Sequence, residues 1–156
     1  MAMESELNSF MEIVDQLIDY TMESEVLDAV KKEMESKIDT EVYSKYDPIR
    51  YERKLDQRGL LDMRDTQEGG SLDVHYDSKI KLLTVENVRP DWEPTHPSHP
   101  DRNVAAVVES GSGYDFWKRP KARPFHKKTE SALITSGEID KILTKSMETN
   151  LGGWSL

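Results

Sequence analysis

The sequence predicts an α+β fold, with N-terminal helices and a C-terminal helix packed on a small, mostly antiparallel sheet. Three observations point there. Apolar residues recur at spacings of three and four near both ends of the chain. They alternate with polar residues over 72–77. Between these stretches glycines and prolines interrupt every regular pattern. At 156 residues the chain has room for one domain with a modest core. It divides into an acidic helical region over 1–45, an α+β core over 46–148 and a tail, expected to be flexible, over 149–156.

From Glu4 to about Ser44 the period is helical. Leu7, Phe10, Met11, Val14, Leu17 and Ile18 form one stripe, and Val26, Leu27, Val30, Met34 and Ile38 a second, with acids opposite. Thr21 to Ser24 is a candidate break, with Ser24 placed to cap a second helix and Glu25 in its first turn. The region is therefore a helical pair or one long kinked helix. Pro48 stops the pattern, and 46–68 reads as an extended basic and aromatic connection punctuated by Gly59 and closed by Gly69-Gly70.

Three strands follow. Leu72, Val74 and Tyr76 alternate with Asp73, His75 and Asp77, as in a half-buried strand that leaves His75 outside. Asp77-Ser78-Lys79 makes a tight turn, and Ile80 to Val88 completes a hairpin. Pro90, Pro94, Pro97 and Pro100 make 89–102 a long loop. The run Asn103 to Glu109, NVAAVVE, is apolar and bounded by turn signals, which suits a central strand buried on both faces. Lys127 to Met147 is helical again, with Thr135 and Glu138 spaced as a capping box and Ile139, Ile142, Leu143 and Met147 as its stripe. The tail carries Gly152-Gly153 and Trp154.

Hydrophobic residues make up 36% and charged residues 33% of the chain, and the mean hydropathy is -0.71. That is polar for a compact monomer and suits a subunit whose fold is finished against neighbours. The net charge of -9 argues against a general nucleic-acid binder. Charge is nonetheless unevenly spread. The first 45 residues are acidic, whereas Lys118, Arg119, Lys121, Arg123, Lys127 and Lys128 lie in a stretch without acids. The absence of cysteine excludes disulfides, thiolate metal sites and cysteine nucleophiles. No secretory signal is visible, and no apolar run approaches the roughly 18–20 residues that cross a membrane.

Chemistry-bearing groups are sparse. His96 and His99, near Asp91, Glu93 and Asp101, are the best candidates for a divalent metal, although their spacing fits no established motif. They support an alternative reading as a small metal-dependent hydrolase or nuclease. His75 and His126 show no carboxylate partner at local spacing. Gly111 and Gly113 in ESGSGY lack the ending of a phosphate loop and read as a turn. Tyr114, Phe116 and Trp117 beside the cations resemble single-strand nucleic-acid chemistry, which supports an adaptor as a further alternative. The favoured reading is a subunit contact made by Tyr114, Trp117, Lys118, Arg119, Lys121, Arg123 and Trp154.

The order of these segments resembles the tail-completion and head–tail joining (neck) proteins of long-tailed bacteriophages. The matching residues are Val107-Val108-Glu109, Gly111, Gly113-Tyr114 and Arg123-Pro124-Phe125 ahead of an amphipathic last helix, with Arg58-Gly59-Leu60-Leu61-Asp62 upstream. Ala122 stands where the family's Pro-Arg-Pro-Phe pattern begins with proline. The resemblance implies a structural protein without catalysis or cofactor. It implies a ring of copies of itself, such as a hexamer, in the virion neck. The ring would contact portal, adaptor and tail proteins, and its channel would let genomic DNA touch basic side chains. No membrane partner is implied, and assembly would begin in the host bacterial cytoplasm.

Overall fold

A computed structural model describes residues 2–45, 59–88, 103–112 and 121–152. Its fold is α+β, with helices gathered around one small antiparallel sheet.

The acidic N-terminal region is one continuous helical path. Helix α1 (Ala2–Thr21) passes through a wide π turn (Met22–Val26) into α2 (Leu27–Ile38), which ends in a second π turn (Asp39–Tyr43). The expected break at Thr21 to Ser24 is absorbed by the first π turn. Ser24 does not cap a new helix, because its hydroxyl donates back to the Tyr20 carbonyl four residues earlier. Thr21 does the same to Leu17 at 2.8 Å. Each π turn adds a residue to the local period, so Val26, Met34, Ile38 and Val42 all stay buried along one winding face.

Two strands, β1 (Leu72–Asp77) and β2 (Leu82–Asn87), pair antiparallel with Leu72 opposite Asn87, Val74 opposite Val85 and Tyr76 opposite Leu83. These six side chains share the inner face, and Asp73 and His75 point outward to solvent. The connection is longer than the expected tight turn, and β2 begins at Leu82 rather than Ile80. Asp77 accepts the Lys79 N–H at 2.9 Å, and Lys81 turns the chain back with a φ of 54°. Ile80 is thereby left exposed on the turn.

The third expected strand is a helix. Residues Val104–Ser110 form α3, with Asn103 accepting the Ala106 N–H at 3.1 Å as its N-cap and Gly111 closing it at φ 67°. Three valines gave the run its strand-like look. A short apolar run cannot be told from a buried helix by periodicity, and here the capping residues decide. Ala105 and Val108, three apart, carry the buried face. Among the described residues the sheet therefore has two strands.

The expected last helix is two helices, α4 (Phe125–Ser136) and α5 (Glu138–Leu151). Gly137, at φ 60°, separates them, so Thr135 and Glu138 form no capping box; the Glu138 N–H meets Ser136 Oγ at 3.3 Å. α2 packs on α4, and α5 packs on α1 and on the first π turn.

The main core lies where α2, the 59–63 segment, the hairpin base, α3 and the start of α4 converge. Ile38, Leu72, Ala105 and Phe125 are fully buried there, with Met34, Val42, Leu60 and Val108 around them. Burying a side chain the size of Phe125 contributes on the order of 1.5–3 kcal/mol. The 59–71 segment folds into a knot against this core. Ser71 Oγ donates to the Gly59 carbonyl at 2.8 Å, and buried Asp62 takes two bonds from the Arg64 guanidinium, at 2.8 and 2.7 Å. A Cβ on Gly70 would lie 2.1 Å from the Arg64 carbonyl oxygen, so only glycine fits this crossing.

Candidate assembly surface

Helix α1 is about 30 Å long. Its apolar stripe meets two different environments. At the inner end, Leu17 and Ile18 are half-buried, and Thr21 is buried and shares a 2.7 Å hydrogen bond with Ser146 of α5. At the outer end the same stripe opens to water, with Leu7 56% and Met11 59% exposed. Ile13 and Tyr20 are also exposed, but on the far side of the helix from Leu7 and Met11. Four of the seven large apolar residues that stand exposed among the described residues belong to α1, and two more, Ile80 and Leu82, belong to the hairpin end. Such clustering marks a contact surface more than scattered exposure does.

The hairpin tip is fastened to α1 by charge. Lys81 reaches both Asp15 and Asp19 at 2.7 Å, and the Tyr76 hydroxyl donates to Asp19 at 2.6 Å. The bond from Lys81, seconded by Tyr76, holds the Asp19 carboxyl below its usual range. The pair of aspartates raises the Lys81 ammonium. Burial and the bond to Asp19 push the Tyr76 phenol up to about 12. The clamp also holds Lys81 in a left-handed backbone conformation that costs a non-glycine residue strain.

At the other end of the molecule a polar joint locks α3, α4 and β2 together. Glu109, at the end of α3, caps the start of α4 by accepting the backbone N–H groups of His126 at 3.0 Å and Lys127 at 3.3 Å. Its carboxylate also lies 3.4 Å from His126 Nδ1. His126 Nε2 accepts the Asn87 N–H at 3.0 Å, and the buried Asn87 amide donates to the Leu60 carbonyl at 2.7 Å. Burial lowers the His126 pKa, outweighing the upward pull of Glu109 and Glu86. With one imidazole nitrogen on a backbone N–H and the other against a carboxylate, His126 is a structural acceptor and not a general base. Gly111 completes the joint, since a Cβ there would lie 2.4 Å from the Ala122 nitrogen.

The residues that sequence reading assigned to a subunit contact fall into three groups. Lys121 is exposed on the approach to α4. Arg123 is half-buried, and its N–H donates to the Val108 carbonyl at 3.0 Å, so its backbone belongs to the joint. Tyr114, Trp117, Lys118, Arg119 and Trp154 lie outside the described residues, as do Phe116 and the histidines His96 and His99 with Asp91, Glu93 and Asp101. Among the other cations, Lys128 bonds Glu41 at 2.6 Å, and this bond, with one from Lys45, keeps the Glu41 carboxyl low. Lys127 is exposed. Among the described residues no three histidine, aspartate or glutamate side chains gather as a metal-holding group, and no helix is long and apolar enough to cross a membrane. A shallow groove of about 360 Å³ between the first π turn and α5 is lined by Glu25, Glu138, Lys141, Ile142 and Lys145, charges of both signs.

Sequence reading missed two features of this surface. The outer half of α1 looked like a core-facing stripe, because periodicity reports amphipathicity and not what lies opposite. Glu109 looked like the end of a strand, and its role as a cap depends on the reassignment of α3.

Fold and surface together define a small, cysteine-free α+β protein in which, among the described residues, most of the exposed large apolar side chains stand on an acidic helix. The chain belongs to the YomN family, whose model matches residues 5–149. That family is phage-derived. No curated protein and no solved structure matches the chain.

Proposed function

We propose that this protein is a structural component of the phage virion neck, a tail-completion or head–tail joining subunit that assembles with copies of itself into a ring between the capsid portal and the tail. It acts by contact and turns over no substrate. The observation that carries the reading is the outer half of α1, where Leu7 and Met11 stand open to water. A subunit of this kind gains from neighbours what its own core leaves unfinished. The phage-derived family and the motif order shared with neck proteins support it. The cations of 118–121 are assigned to neighbouring subunits or to DNA passing through the ring.

The test is genetic and visual. Deleting the gene from its phage should leave filled capsids and complete tails unjoined in electron micrographs of lysates, and supplying the protein in trans should restore joined particles. Normal joined, infectious particles without the protein would overturn the proposal.

A further inference from the structure

Helices α1 and α5 stand apart from the rest of the fold. Among the described residues, the main core takes no side chain from either helix. The two pack on each other, and Leu17, Ile18, Leu143 and Met147 stay only half-buried. Thr21 and Ser146 are the buried residues of the pair, and their hydroxyls share a 2.7 Å hydrogen bond. Each helix joins the core through a link that can bend. The π turn Met22–Val26 leads from α1 to α2, and such turns are where helices kink. Gly137 separates α4 from α5 at φ 60°, and a Cβ there would meet nothing within 4 Å. The two links lie side by side. Glu25 of the π turn and Glu138, next to Gly137, line one groove with Lys141, Ile142 and Lys145. With Thr21 against Ser146, α5 runs antiparallel to α1 away from that groove.

A polar clamp ties this pair to the sheet. Lys81, on the hairpin turn, reaches Asp15 and Asp19 of α1 at 2.7 Å each, and the Tyr76 hydroxyl donates to Asp19 at 2.6 Å. The Asp15 side chain is 62% exposed, so water and salt reach the clamp, and ion pairs of that kind are individually weak. Weak contacts set opposite two adjacent bends suit a latch that opens reversibly. We infer that α1 and α5 form a two-helix arm that swings as one body about Met22–Val26 and Gly137, and that Lys81 with Tyr76 latches it against the hairpin. A hinge needs only a few residues at element ends to absorb the backbone change, and both links supply them. The swing belongs to the single chain and stands or falls apart from the neck reading.

The chain has no cysteine, so introduced cysteines carry spin labels without background. Three full-length chains are labelled at exposed positions. Glu12→Cys/Glu35→Cys reads the arm against the core across the π turn. Gln16→Cys/Glu148→Cys reads α1 against α5. Glu35→Cys/Glu130→Cys reads α2 against α4 as the core control. Double electron–electron resonance distances are measured at low salt, in about 1 M salt, where the screening length falls to about 3 Å, and with the latch removed by Lys81→Met/Tyr76→Phe. The first pair should give one narrow distance at low salt. Salt, and more strongly the latch variant, should raise a second population in that pair roughly three- to tenfold and leave the other two pairs unchanged. Salt acts on an intact latch, so the test stands even where the variant fails to fold. A first pair unchanged by both treatments, or already broad at low salt with the latch intact, would overturn the inference. Broadening of all three pairs would also overturn it, as loss of structure and not the turning of an arm. Broadening of the second pair alongside the first would show two helices moving separately, and the single body would be wrong. A response to salt that the folded latch variant does not share would overturn the role given to Lys81 and Tyr76.

Discussion

The joint around Phe125 and the outer half of α1 are built from the same kinds of apolar residue and reach opposite states. At the joint, four segments converge, and Phe125, Ala105 and Leu72 are removed from water. The polar groups beside them are paired in a chain running from Leu60 through Asn87 and His126 to Glu109. On outer α1, Leu7 and Met11 keep more than half their surface wet. The difference lies not in the amphipathic pattern but in what the topology places opposite it. Stability therefore resides at the joint, and the surface open to partners resides on α1.

Substitutions at the two ends should separate these properties. The largest effect is expected from Phe125→Ala, which empties the centre of the core and should cost about 3–5 kcal/mol in denaturant unfolding. A loss below about 1 kcal/mol would mean that the core does not centre there. Gly111→Ala comes next. It places a side chain at φ 67°, against the Ala122 backbone nitrogen, and should destabilise by about 1–3 kcal/mol.

Acid should loosen the joint before it touches α1. The neutral imidazole is the form that accepts the Asn87 N–H, and burial holds the folded pKa of His126 below its ordinary value of 6.5. The unfolded chain thus binds this proton at higher pH than the folded one. The contribution is fully present above about pH 6.5 and declines as pH falls through the interval below it. Thermal melts from pH 7.5 to 5.5 should show a falling midpoint, and His126→Gln, which keeps an acceptor without a titrating proton, should flatten that slope. An equal slope in both chains would remove the imidazole from the account.

Lys81→Met should free the hairpin tip from Asp15 and Asp19. A small drop in melting temperature is expected, shrinking as salt is added, because salt already weakens an ion pair that water reaches. The smallest effect belongs to outer α1 itself. Leu7→Ser and Met11→Ser should each change monomer stability by less than about 0.5 kcal/mol, and a loss comparable to that of Phe125→Ala would show that the strip is core after all.

The contrast between the two ends was partly legible beforehand. The helical stripes of α1 and α2 and the alternation of Leu72, Val74 and Tyr76 are dictated by side-chain periodicity, and the structure keeps them. The run NVAAVVE was misread because valine content outweighed its capping residues, Asn103 and Gly111. Gly137 was overlooked as a helix stop in favour of a capping box across it. The joint could not be read at all, because Asn87, Glu109 and His126 meet only once the reassigned α3 brings distant segments together. The acidity of α1 was plain, but how far its outer strip is covered is a property of the packing and not of the sequence pattern.

The most direct test of the claim that one end is complete and the other awaits a partner is hydrogen–deuterium exchange of the intact wild-type chain at increasing protein concentration. The account predicts slow, concentration-independent exchange over α2, α3 and the first half of α4, and fast exchange over residues 4–14 that slows as concentration rises. Exchange over 4–14 as slow as at the joint in the most dilute sample, or fast at every concentration, would contradict it.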